Sequence, residues 1–306
     1  MSFTSTVKNE VSKLKTEKIE SIALLSAIFS NSAVITDSIR ISTENSSVAR
    51  LIFNLVKDLY NINCKITVRQ GYNYNKNFIY ILQITNNIDK IVKDLSLKHD
   101  IPDEYILADE ELVRIYLRGV FLTTGSINDP KKSRYHLEFI FSSLDYATYV
   151  MNLLNQYNLN SKVLKRENKY MVYIKEAEKI GDFLRMINAI NSLFYFEDIR
   201  IYRDHKNMTN RLNNCEQANI DKIILTSNEQ IKDIQLINSI GGLNLLDEKE
   251  QIVAVYRLKY PEVSLLELSE IISMETGNKI TKSGLYHRFN KIKLLAKKIR
   301  ENNQNN

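Results

Sequence analysis

"LRGVFLTTGSIND", residues 117–129, is the stretch on which the reading of this chain turns. Leu117, Val120, Phe121 and Leu122 form an apolar run with Gly119 inside it, and the run stops at Thr-Thr-Gly-Ser, the pattern of a helix closing on a loop. A small residue in an apolar helix lets another backbone approach closely. Ala23 and Ala27 stand in the same way inside an earlier apolar helix, "KIESIALLSAIFS" (18–30). Where a catalytic carboxylate would be looked for at the end of the 117–125 helix, the residue is Thr124.

Working outward, each helix heads a unit of the same order. After 18–30 come short β-like pieces near 33–41, a helix at 47–60, alternating strands at 64–70 and 78–84, and a helix near 87–98. Gly71, Asn73 and Asn75 mark the turn between the two strands. After the helix at 109–123 come a strand at 135–141, a helix at 144–157, strands at 161–166 and 169–175 turning at Glu167-Asn168, and a helix at 177–189. Corresponding elements lie about 92–98 residues apart, the signature of an internal duplication. The expected fold class is α+β: a duplicated αββαββα domain, with repeats at 1–100 and 101–199, its two leading helices packed together at the centre.

Residues 200–221, polar and asparagine-rich, read as a connector, with Arg203, Lys206 and Arg211 as a possible phosphate-touching arm. Residues 222–301 read as an all-α domain and 302–306 as a disordered tail. A helix near 222–239 ends at Gly241-Gly242. Asp247 with Glu250, and Ser264 with Glu267, have capping-box spacing ahead of two further helices. Gly277 then marks a short turn, and Thr281 caps the last helix. Two helices joined by such a turn at 264–297, the second one basic, fit a helix-turn-helix. On that second helix Leu285, Phe289, Ile292 and Ala296 form the inward stripe. Ser283, Gly284, His287 and Lys291 point away from the stripe, flanked by Lys282, Tyr286 and Arg288, and these seven are the candidate DNA-binding residues. Gly284 costs such a helix ~1 kcal/mol relative to alanine. Close approach of DNA and tight packing against the preceding helix both account for it.

Composition narrows the function classes. The 306 residues suggest two or three domains, and 44% apolar content supports a packed core. Cys64 and Cys215 stand far apart with no Cys/His cluster, and there are four histidines, so no zinc site, disulfide framework or other cofactor is expected. No apolar run reaches the ~18 residues of a membrane span, and "MSFTSTVKNE" lacks a signal-peptide core. The expectation is a cytoplasmic, nucleoid-associated protein without membrane contact. Eight basic residues and no acid lie between Lys279 and Arg300; taking them from the 42 Lys and Arg leaves 34 against 36 acidic residues. The excess positive charge therefore sits in the last helix, as expected of a phosphate-backbone binder.

The leading helices resemble those of the LAGLIDADG homing endonucleases, in which two such helices pack between αββαββα units and an acid near each helix end holds a divalent metal. "LRGVFLTTG" (117–125) overlays that nine-residue motif with Thr124 in place of the acid, and "LSAIFSNSA" (25–33) overlays it with Ser32. A neutral hydroxyl does not replace a carboxylate on a hard cation. Asp37 and Asp129 lie close by and read as turn residues, Asp129 preceding Pro130. No catalytic residue is therefore expected, and no metal.

"SFTSTVKNE" (2–10), "YLRGVFLTTGSINDPKKSRYHLEF" (116–139), "RDHKNMTNRLNNCEQANIDK" (203–222) and "ITKSGLYHRFNKI" (280–292) together resemble the WhiA family of bacterial regulators, nearly end to end. The resemblance implies a degenerate homing-endonuclease-like domain followed by a helix-turn-helix. It further implies transcriptional regulation, a role in cell division and chromosome segregation and, in sporulating relatives, sporulation. The implied partner is double-stranded DNA, with another transcription factor or a division protein as a further candidate. Three classes remain open on the residues alone: a DNA-binding regulator, an active nuclease, and a non-enzymatic scaffold or nucleoid-associated protein. The missing acids weigh against the second and the basic helix against a pure scaffold.

Overall fold

A computed structural model describes residues 2–70, 78–99, 101–132 and 134–304, which fall into two compact units, residues 1–204 and 205–306. The expected turn at Gly71, Asn73 and Asn75 lies outside the described residues.

The first unit opens with α1 (Phe3–Val11), which the sequence reading had not assigned. Two copies of one pattern follow: α2 (Lys18–Ser32), β1 (Ala33–Ile35), β2 (Ile39–Thr43), α3 (Ser46–Tyr60), β3 (Lys65–Gln70), β4 (Phe78–Ile84) and α4 (Ile88–Asp94), then α5 (Glu110–Thr124), β5 (Gly125–Ile127), β6 (Leu137–Phe141), α6 (Leu144–Gln156), β7 (Lys162–Arg166), β8 (Lys169–Ile174) and α7 (Ala177–Met186). Both sheets are antiparallel and share one strand order, β1-β2-β4-β3 and β5-β6-β8-β7, so the duplication is real in three dimensions. Alternation along the strands sets the buried face: Ile39, Ile41, Leu82 and Ile84 in one sheet match Leu137, Phe139, Val172 and Ile174 in the other. β5 starts at Gly125 with no intervening loop, a strand of three residues too short to show a period. Glu167 adopts φ +54° in the tight turn between β7 and β8.

Between these sheets α2 and α5 are buried on nearly every face, from Ala23 to Phe29 and from Ile115 to Leu122. They touch where the small residues fall: a Cβ built on Gly119 would lie 2.7 Å from Ala27 Cβ and 2.8 Å from the Leu24 carbonyl oxygen. Arg118, beside Gly119, is buried as well; burial lowers its pKa against the pull of Glu20 and Glu111. The apolar pattern did not anticipate a charge there.

α1 ties the unit together through five side chains of one short segment. Phe3, Val7 and Val11 are buried. Thr4 Oγ1 accepts from the Ile127 amide at 2.9 Å and donates to its carbonyl at 2.8 Å, giving the edge strand β5 a partner. Glu10 accepts from the amides of Asn191 (2.7 Å) and Ser192 (2.9 Å), capping the start of α8 (Ile190–Gly241).

α8 corrects the expected connector. Residues 200–221 are helical, continuous with the helix expected only from 222. Between Gly181 and Gly241 the chain holds neither glycine nor proline, and a helix already nucleated propagates through indifferent residues at little cost. Arg203 is not a free phosphate-touching arm: its guanidinium donates to the carbonyls of Pro130 (2.8 Å) and Lys132 (2.7 Å) and stacks over Tyr135 at 4.6 Å.

In the second unit α9 (Glu248–Lys259), α10 (Leu265–Thr276) and α11 (Lys282–Gln304) enclose a separate core of Val253, Ala254, Leu268, Ile272, Leu285 and Phe289, joined by Ile234 and Ile237 of α8. Both capping boxes form as the spacing predicted, at Asp247/Glu250 and Ser264/Glu267. Gly277 takes φ +68° between α10 and α11, a conformation that favours glycine. α11 continues through Gln304, so the expected tail from 302 is helical as far as 304; residues 305–306 lie outside the described residues.

Candidate nucleic-acid interface and the ends of the paired helices

Thr281 Oγ1 accepts from the Gly284 amide at 3.1 Å, which starts α11 at the expected point. Leu285, Phe289, Ile292 and Ala296 are all buried, so the face opposite them is fixed by helical geometry. Lys282, Ser283, Tyr286, His287 and Lys291 are exposed, with Tyr286 and His287 in edge contact at 6.0 Å, while Gly284 and Arg288 are half-buried. A Cβ on Gly284 would meet only Thr281 Oγ1 at 3.4 Å and Ile280 Cγ1 at 3.6 Å, ordinary contacts, so packing against α10 does not require glycine there.

The charges of α11 divide into two groups. Lys291 Nζ lies 3.2 Å from Glu250 Oε1, Arg288 donates to the Lys249 carbonyl at 3.5 Å, and Arg300 pairs with Asp233 at 2.6 Å. These side chains are drawn toward α8 and α9. Among the described residues Lys279, Lys282 and Lys298 make no ion pair, so the free positive charge is smaller than the eight residues suggest. Sequence reasoning also missed Arg257, fully buried, which donates to the carbonyls of Tyr260 (3.3 Å) and Val263 (2.8 Å) and lies 5.5 Å from the Phe289 ring centre. Burial pushes its guanidinium down to about 10. It secures the α9–α10 loop from inside, and only its place within a basic helix end could have hinted at it.

At the ends of α2 and α5, Ser32 Oγ donates to its own helix at the Ile28 carbonyl (2.6 Å) and Thr124 Oγ1 to the Val120 carbonyl (2.9 Å). Both hydroxyls are turned back along their helices. Asp129 accepts from the Lys131 amide at 2.9 Å and so serves its turn. Among the described residues no three His, Cys, Asp or Glu side chains gather into a possible metal site. This donor set, two self-satisfied hydroxyls, does not fit a hard divalent cation, which takes carboxylate and carbonyl oxygens.

A homing-endonuclease-like pair of αββαββα units followed by a helix-turn-helix module is the class of protein that these elements define. Three family models match in chain order: the WhiA N-terminal LAGLIDADG-like domain over residues 18–98, the WhiA LAGLIDADG-like domain over 113–206, and the WhiA C-terminal HTH domain over 209–296. The chain belongs to the WhiA family. A relative from Ligilactobacillus salivarius is 42% identical over 98% of both chains, and one from Enterococcus faecalis is 40% identical over 98% of this chain and 99% of its own; each is named "Probable cell division protein WhiA". The crystal structure of full-length DUF199/WhiA from Thermatoga maritima superposes with a TM-score of 0.59 at 25% identity, covering 97% of this chain and 99% of that one. Among the described residues no helix is long and apolar enough to cross a membrane.

Proposed function

We propose that this protein is a non-enzymatic, double-stranded-DNA-binding regulator that reads DNA through α11 and serves cell division, with transcriptional control, chromosome segregation and, in sporulating relatives, sporulation as its field of action. The observation that carries the reading is α11 itself. Its buried stripe orients Lys282, Ser283, Tyr286 and His287 outward together, and Gly284 leaves the backbone open at the centre of that face. Lys282 suits phosphate contact; Ser283 and His287 lie nearer to base edges, and Arg288 joins them once it leaves the Lys249 carbonyl. Lys291 must exchange its Glu250 partner before it can meet a phosphate, so it ranks below Lys282. DNA binding is the action that places the protein in the cytoplasm on the nucleoid.

The test is a salt titration of the full chain on specific and random duplexes. Each lost phosphate contact lowers the slope of log K against log salt by ~0.9. Lys282→Ala is expected to show that drop on both duplexes, and Lys291→Ala less of it. Arg288→Ala is expected to cost on the order of 1–3 kcal/mol on the preferred site and less on random DNA, if it reads guanine. Unchanged affinity and slope in the double lysine variant remove α11 as the DNA-binding element. The relatives' names as probable cell division proteins would then favour a second reading, a scaffold acting on a division protein or another transcription factor. The same protein is expected not to nick supercoiled plasmid with Mg²⁺ or Mn²⁺; metal-dependent nicking lost in Asp129→Ala overturns that expectation.

A further inference from the structure

Lys8 projects from α1 into a cavity of ≈ 420 Å³ at the ends of α2 and α5, beside Asn31, Ser32 and Thr123 and across from Thr43 and Asn45. Most of the lining polar groups are already satisfied. Ser32 and Thr123 donate to helix carbonyls, Asn31 donates to Ala27 O (2.7 Å) and Tyr146 Oη (2.9 Å), and Asn45 caps α3 while its amide nitrogen donates to Asn9. The Lys8 ammonium is different. It lies 5.7 Å from the Phe121 ring centre, and among the described residues it has no hydrogen-bond or ion-pair partner. Glu44, the one acid on the lining, is exposed and not paired with it. Lys8 is half-buried, and its ammonium, which still reaches solvent, keeps three donors without a protein acceptor.

We infer that this cavity is an anion site of the phosphate class, with Lys8 as its binding cation. Burial, which lowers Lys8 to about 8, is the cost that a bound anion offsets, since an opposite charge nearby restores the charged form. A second cavity, of ≈ 330 Å³, lies at Asn31, Ser143 and Tyr146, with Lys98 and His99 exposed at its rim. The inference is independent of α11: the two can fail separately, because their variants lie in different units.

Such a phosphate comes from one of two sources: a free anion, as inorganic phosphate or a small phosphate compound, or a phosphodiester of duplex DNA. Full-length protein, Lys8→Met and Lys8→Arg are melted with inorganic phosphate against chloride at matched ionic strength. Phosphate is expected to raise the Tm of wild type and of Lys8→Arg and to leave Lys8→Met unmoved; an equal rise in all three overturns the inference. A second measurement needs no variant. Phosphate is expected to slow acylation of the Lys8 amine by an amine-reactive reagent, read by mass spectrometry of the N-terminal peptide, and an unchanged labelling rate overturns the inference as well. A short duplex in place of phosphate, added to protein carrying Lys282→Ala and Lys291→Ala, names the source. Lys8-dependent protection by the duplex assigns the site to the DNA backbone, and protection by phosphate alone assigns it to a free anion.

Discussion

Lys8 makes a stability difference that depends on pH with a definite sign. Its folded value, about 8, lies below the ordinary 10.5, so between those values the unfolded chain binds more protons than the native one and stability rises with pH. The penalty is fully present below about pH 8 and gone above 10.5. Compared with Lys8→Met, wild type without phosphate is expected to gain on the order of 1–3 kcal/mol between those limits, measured by denaturant titration at each pH. Glu44 stands on the cavity lining, and Glu10 on α1 is held by the start of α8. A flat difference would show that Lys8 is solvated. Nothing along the chain marks this residue: one lysine in a polar N-terminal run looks like any other, and only the fold brings it against Phe121. Thr281, by contrast, was readable, because a cap needs only its own next three residues.

Among the elements, the α2–α5 pair is the clearest test of the duplication. Gly119→Ala would put a methyl against Ala27 Cβ and the Leu24 carbonyl oxygen, and a backbone oxygen yields little. The variant is expected to lose ~1–3 kcal/mol, and Gly119→Leu more. Ala27→Gly in the same chain relieves one of the two clashes and should recover part of the loss, a coupling readable in a double-mutant cycle. No recovery would mean that the strain lies at Leu24 alone. Helices α2, α3, α5 and α6 were legible because each is long, amphipathic or apolar, and capped. The three-residue β5 was not legible: it is defined by pairing with β6 and by Thr4, both distant in sequence. α8 was missed for another reason. Its asparagines are poor helix formers, but propensity is a weak force beside continuity with a packed helix at both ends.

At the scale of the whole molecule there are two hydrophobic cores with no buried residue in common, one in residues 1–204 and one in 205–306. Thermal unfolding is expected to show two transitions. Gly119→Leu should lower one, and Phe289→Ala, which empties the second core at a cost of ~3–5 kcal/mol, should lower the other. A single transition moved by both variants would show one cooperative unit. The sequence by itself determined the αββαββα duplication, the helix-turn-helix with its caps and inward stripe, and the presence of hydroxyls, not carboxylates, at Ser32 and Thr124. All of these rest on short-range patterns: hydrophobic period, capping pairs three residues apart, and residue type at one place in a motif. Only the tertiary structure decided where the charges go. Arg203 is spent on the 130–132 carbonyls, Lys291 faces Glu250, Arg257 is shut inside its domain, and Lys8 stands unpaired in a cavity. A charged side chain is long and its partner is chosen by proximity in space, so its role is set by which distant segment packs beside it, and that is not written in its neighbours along the chain.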